Sequence, residues 1–141
     1  MKVFLSYARK DTELANELGE RLAKGGFQVW NSHQQVVPGE NWAKEIGKAL
    51  DDSDLMVILL TPKAMESDWL RHEIEFAIGS KKYEGRLFTV FVGAGLEAGK
   101  DLPWILLKLP HRQVESPKGF AAVVKDIRAI SANPKLSHSN A

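Results

Sequence analysis

Leu55-Met-Val-Ile-Leu-Leu60 is an unbroken run of six apolar residues, flanked by Asp54 on one side and Thr61-Pro62 on the other. A short apolar run without alternation suits a strand covered on both faces. Such a strand belongs in the middle of a parallel sheet with helices above and below it. That requirement organises the rest of the chain. Val3 to Tyr7 reads as an opening strand, Phe27 to Trp30 as a second, Leu87 to Val92 as a fourth and His111 to Val114 as a fifth. Between them the apolar period changes to that of a helix. Leu14, Leu18 and Leu22 mark one helix, Trp42, Ile46, Ala49 and Leu50 a second, and Leu70, Ile74, Ala77 and Ile78 a third. Trp104 to Leu107 suggests a short helical turn, and Phe120, Val123, Val124, Ile127 and Ile130 trace the last helix. Asp11 is placed to cap the first helix and Ser67 or Asp68 the third, while Gly25-Gly26 ends the first. Strand alternating with helix predicts an α/β fold: a five-stranded parallel sheet with right-handed crossovers and helices on both faces.

A chain of 141 residues with 44% hydrophobic content fits one domain with a real core. We place that domain at residues 1–130. The stretch from Ser131 to Ala141 lacks an apolar stripe and is read as a flexible tail, or a linker towards a sensor domain or partner protein after residue 131. The 19 Lys+Arg and 18 Asp+Glu leave a net charge of +1, so no overall field draws nucleic acid or an anionic membrane. There is no cysteine, which removes disulfides, thiolate zinc sites and a cysteine nucleophile and fits a cytoplasmic setting. The longest apolar run is six residues, against the roughly 20 that a membrane helix needs. Val3-Phe4-Leu5 is too short for a signal-peptide core.

Ligands of open parallel sheets bind beyond the carboxyl ends of the strands. The turns after the strands are therefore where chemistry is expected, and they hold Ser6 to Asp11, Asn31 to Asn41, Thr61 to Asp68 and Gly93 to Asp101. Trp69 and Glu73 are four residues apart at the start of the third helix and share one face near that rim. A carboxylate beside an indole plane suits a sugar joined to an aromatic ring. Glu75 lies about 200° round the helix from Glu73 and should face solvent.

Other patterns carry less. Gly93-Ala-Gly95-Leu-Glu-Ala-Gly99 is spaced G-x-G-x-x-x-G after the fourth strand and opens no long helix, so it reads as a connection rather than a dinucleotide loop. His33, His72, His111 and His138 show no metal-ligand spacing. A phosphorelay receiver domain shares the architecture but needs carboxylates after the first and third strands, where this chain has Ser6-Tyr7 and Thr61-Pro62. Asp51, Asp52 and Asp54 precede the central strand, at the wrong end of the sheet.

In order along the first 80 or so residues, Val3-Phe4-Leu5-Ser6-Tyr7, Val37-Pro38-Gly39-Glu40, Leu55 to Pro62 and Trp69-Leu-Arg-His-Glu73 resemble the motifs of the Toll/interleukin receptor (TIR) domain family. The resemblance implies a flavodoxin-like build. Enzymatic members split NAD into nicotinamide and ADP-ribose or a cyclic isomer, using the glutamate of the W-x-x-x-E motif. Carried over, Glu73 is the catalytic residue, and Trp69, Ser6, Tyr7, Arg9 and Trp30 are candidate substrate contacts. Trp30, like Trp42, also reads well as plain packing. No metal or cofactor is implied, since NAD is the substrate. The family further implies self-association with other TIR domains, even as filaments, through the loop holding Val37, Pro38, Gly39 and Glu40, in nucleotide signalling or anti-phage defence. Many relatives carry an acidic residue just after the second strand, where this chain has Asn31-Ser32-His33. The alternative is a scaffold that signals only by TIR–TIR contact.

Overall fold

Every residue of the Leu55–Leu60 strand is buried, because it sits at the centre of a five-stranded parallel sheet and is covered from both sides. The computed structural model describes residues 1–31, 42–62, 64–79, 86–93 and 105–131. The strands are β1 (Lys2–Ser6), β2 (Gln28–Asn31), β3 (Leu55–Leu60), β4 (Leu87–Val92) and β5 (His111–Val114), in the spatial order β2-β1-β3-β4-β5. The helices are α1 (Thr12–Lys24), α2 (Trp42–Asp52), α3 (Asp68–Ile78), the short α4 (Ile105–Lys108) and α5 (Phe120–Ser131). All five strands predicted from sequence are present, and β1 and β2 are shifted by a residue.

Period-two alternation sorts the strand side chains onto two faces. On one face Val3, Leu5, Val57, Leu59, Val90 and Val92 pack under Leu18 and Leu22 of α1 and Phe120, Val123 and Ile127 of α5. On the other, Phe4, Met56, Ile58 and Phe91 pack under Leu50 of α2, Leu70, Ile74 and Ala77 of α3 and Leu106 of α4. The chain winds outward in both directions from the β1/β3 pair, whose register places Ser6 beside Ile58. That pair is the switch point where a doubly wound sheet opens a crevice at its carboxyl end.

Local signals mostly act as expected. Ser67 caps α3, its hydroxyl accepting from the Leu70 amide at 3.3 Å. Gly26, with φ of 97°, supplies the left-handed turn that ends α1.

Two expectations are corrected. Asp11 occupies the cap position of α1, but its side chain makes no capping bond; the carboxylate turns to the residue after β3 instead. Ile78 is 39% exposed rather than part of the α3 stripe. At about 100° per residue it lies roughly 75° from the centre of the stripe set by Leu70, Ile74 and Ala77, on the flank of α3 turned away from β1. The loop with Val37, Pro38, Gly39 and Glu40, the glycine-rich connection at 94–104 with Trp104, and the tail from 132 on lie outside the described residues, as do the side chains of Trp42, Ile46 and Trp69.

Candidate functional site

β1 ends at Ser6, and α3 crosses the same face of the sheet one layer above. Glu73 stands on the flank of α3 turned towards β1, about 65° from the centre of the apolar stripe on the side opposite Ile78. It is 0% exposed. Glu73 is thus part of the interior rather than a solvated helix carboxylate. An ionised carboxylate loses several kcal/mol on burial unless polar partners replace its water. Ser6, likewise 0% exposed, supplies one such partner: its hydroxyl donates to Glu73 Oε1 at 2.5 Å, within the short range of charge-assisted O–H···O bonds. Glu75, two residues on, is exposed as the helical period requires.

The other predicted contacts divide. Tyr7 follows Ser6 and so points to the opposite face, where its ring is fully buried and its hydroxyl donates to the Asn31 side chain. Asn31 is itself buried at the end of β2. Tyr7 therefore belongs to the core away from Glu73, and a neutral amide rather than an acid receives its hydroxyl. Arg9 lies exposed on the 3-10 turn after β1 (Arg9–Asp11), at the rim. Trp30 is half-buried and stacked on Phe4, ring centroids 4.9 Å apart at 19°. It lines a recess of about 370 Å³ with Lys2, Lys48 and Ser53, a group that includes neither Ser6 nor Glu73. The Trp69 backbone lies in α3 one turn before Glu73.

One pair at the crevice is not foreseeable from the sequence. Asp11, only 8% exposed, accepts a hydrogen bond from Thr61 Oγ1 at 2.7 Å. The bond ties the loop after β1 to the residue after β3 across the switch point. Each residue has an adequate local role, as helix cap and strand terminator, so nothing in the sequence requires them to meet. Among the described residues no group of three or more His, Asp or Glu side chains is placed to hold a metal ion. No helix there is long and apolar enough to cross a membrane.

The carboxyl end of the β1/β3 pair therefore gathers a buried carboxylate with a hydroxyl partner, a second, nearly buried carboxylate bonded to Thr61 and an exposed arginine two residues before it. That set suits an uncharged polyol next to a group that carries or develops positive charge, with Arg9 within reach of an anionic substituent.

Comparison with known proteins gives a family. A family model described as TIR domain matches residues 3–121. The chain is 25% identical over 72 residues to the 2' cyclic ADP-D-ribose synthase BtTIR of Bacteroides thetaiotaomicron, a match that covers 50% of this chain and 25% of that protein. It is 30% identical over 83 residues to Toll-like receptor 1 of Homo sapiens, covering 58% of this chain and 11% of the receptor. The chain thus spans a quarter or less of the length of these relatives. Among solved structures, a metazoan TIR-STING receptor from C. gigas in complex with 2',3'-cGAMP superposes with a TM-score of 0.75 at 22% identity, over 92% of this chain and 39% of that one. That likeness is one of fold.

Proposed function

The chain belongs to the TIR domain family, and on that premise we propose that it cleaves the nicotinamide–ribose bond of NAD with Glu73 as the reacting carboxylate. The observation that carries the proposal is the complete burial of Glu73 at the switch point, against the hydroxyl of Ser6. A domain that only docks to its own kind has no use for a desolvated carboxylate there, and such groups concentrate at functional sites. Likeness to a 2' cyclic ADP-D-ribose synthase supports the same reading.

The chemistry follows from charge. When the ribose C1'–N bond breaks, its electron pair passes to the nicotinamide ring nitrogen and neutralises the pyridinium. The ribose is left as an oxocarbenium ion. A carboxylate held in a low-dielectric site stabilises that cation more than it would in water, and it can also hold the ribose hydroxyls. Water, or an oxygen or nitrogen elsewhere in the same molecule, then attacks C1' and gives up its proton. The product is ADP-ribose or a cyclic isomer. Trp69 is assigned to the ribose or nicotinamide ring and Arg9 to phosphate.

Because Glu73 is 0% exposed, ribose reaches it only once the site opens. We assign that step to self-association through the loop with Val37, Pro38, Gly39 and Glu40, in the service of signalling or anti-phage defence.

The second reading is assembly without catalysis. Likeness to Toll-like receptor 1 and the exposure of Phe76 and Ile78, 48% and 39%, on α3 favour it. Chromatography of NAD incubated with the assembled protein separates the two. Released nicotinamide supports the enzyme, the accompanying product distinguishes hydrolase from cyclase, and unchanged NAD leaves the scaffold.

A further inference from the structure

We infer that Ser6 is a positioning residue: its hydroxyl fixes the orientation of the Glu73 carboxylate and does not touch the substrate. The inference rests on the NAD-cleaving reading of the same site. Ser6 closes β1, a strand hydrogen-bonded to β2 on one side and β3 on the other, and its register partner is Ile58 of the central strand. Its backbone therefore belongs to the most constrained part of the molecule. Glu73, by contrast, has a long side chain with three rotatable bonds below its carboxylate, rooted on a helix. Where the carboxylate points is set by what it bonds to. The Ser6 Oγ to Glu73 Oε1 contact of 2.5 Å joins the flexible group to the rigid one, and both are 0% exposed, so water does not compete for either. A hydroxyl has one proton to donate. With that proton committed to Glu73, Ser6 cannot donate to the substrate without releasing the carboxylate that the reaction needs.

Positioning and substrate contact separate kinetically. Misorienting a reacting group slows the chemical step and leaves ground-state binding in place, while losing a substrate contact weakens binding. NAD turnover by the assembled chain is to be compared for wild type, Ser6→Ala and Ser6→Cys. The cysteine thiol is a weaker donor of similar shape, and far-UV circular dichroism checks that each variant is folded. The expected result is a kcat lower by roughly ten- to hundredfold in Ser6→Ala, a KM for NAD within about twofold of wild type, and a Ser6→Cys value between the two. A raised KM with kcat intact, or wild-type kinetics in Ser6→Ala, overturns the inference.

A second measurement does not depend on turnover. Side-chain three-bond couplings of Glu73, read by NMR, should report one rotamer in wild type and a changed rotamer distribution in Ser6→Ala. Wild-type couplings retained in Ser6→Ala overturn the inference. If wild type releases no nicotinamide while the Glu73 rotamer distribution changes in Ser6→Ala, the positioning role stands and only the NAD reading falls.

Discussion

The Ser6 hydroxyl and the Glu73 carboxylate lie 67 positions apart in sequence and 2.5 Å apart in the fold, with no solvent at either. One closes the first strand and the other sits a turn and a half into α3. They meet because the parallel sheet brings the carboxyl end of β1 beneath the first turns of the helix that follows β3. The placement puts an ionisable group inside the apolar layer formed by Phe4, Ile58, Leu70 and Ile74.

The Asp11–Thr61 bond predicts a stability effect. Thr61→Val keeps the side-chain shape but leaves a nearly buried carboxylate without its 2.7 Å donor. The expected loss is about 1–3 kcal/mol, read from the denaturant midpoint, while Thr61→Ser retains most of the wild-type stability. A Thr61→Val midpoint equal to wild type would show that the bond contributes nothing to the fold.

Thr89 predicts the opposite sign. Its hydroxyl is buried in β4 and, among the described residues, finds no partner. Thr89→Val replaces an unsatisfied hydroxyl by a methyl of the same size. It should stabilise the fold by about 1 kcal/mol. A measurable loss of stability would show that the hydroxyl is bonded.

Gly119 predicts a steric effect. A Cβ built on it would stand 2.5 Å from Val114 Cγ1 and 2.7 Å from Val114 Cβ, so β5 and the start of α5 approach too closely for any side chain. Gly119→Ala should cost about 1–3 kcal/mol. Combined with Val114→Ala, which removes the Cγ1 contact but keeps Cβ, the loss should be smaller than the sum of the two single losses. Strict additivity in the double variant would contradict a direct clash between residues 114 and 119.

The architecture was legible because it rests on apolar periodicity. The Leu55–Leu60 run announced a strand buried on both faces, and the four-residue repeat of Leu14, Leu18 and Leu22 announced its covering helix. Glu73 was legible as a position but not as an environment. Three residues after Leu70 and four before Ala77 it borders the apolar face, but Arg71, His72 and Glu75 around it are polar and a carboxylate at such an edge reads equally well as solvated, so its full burial did not show. The inward turn brings it to Ser6, and a contact across 67 residues leaves no periodic trace. Tyr7 shows the same limit: sharing a motif with Ser6 suggested a shared site, but strand alternation sends the two residues to opposite faces. Asp11 obeyed capping statistics in position and departed from them in bonding, because Thr61 offered it a donor from across the crevice.

N-glycosidic cleavage of NAD by Glu73 is tested most directly by nicotinamide release from assembled wild-type and Glu73→Gln protein. The amide keeps the volume and removes the charge. Wild type should release nicotinamide, and Glu73→Gln should do so at a rate lower by at least about a hundredfold, with the fold retained. Equal release by the two proteins, or none from assembled wild type, would contradict a catalytic Glu73.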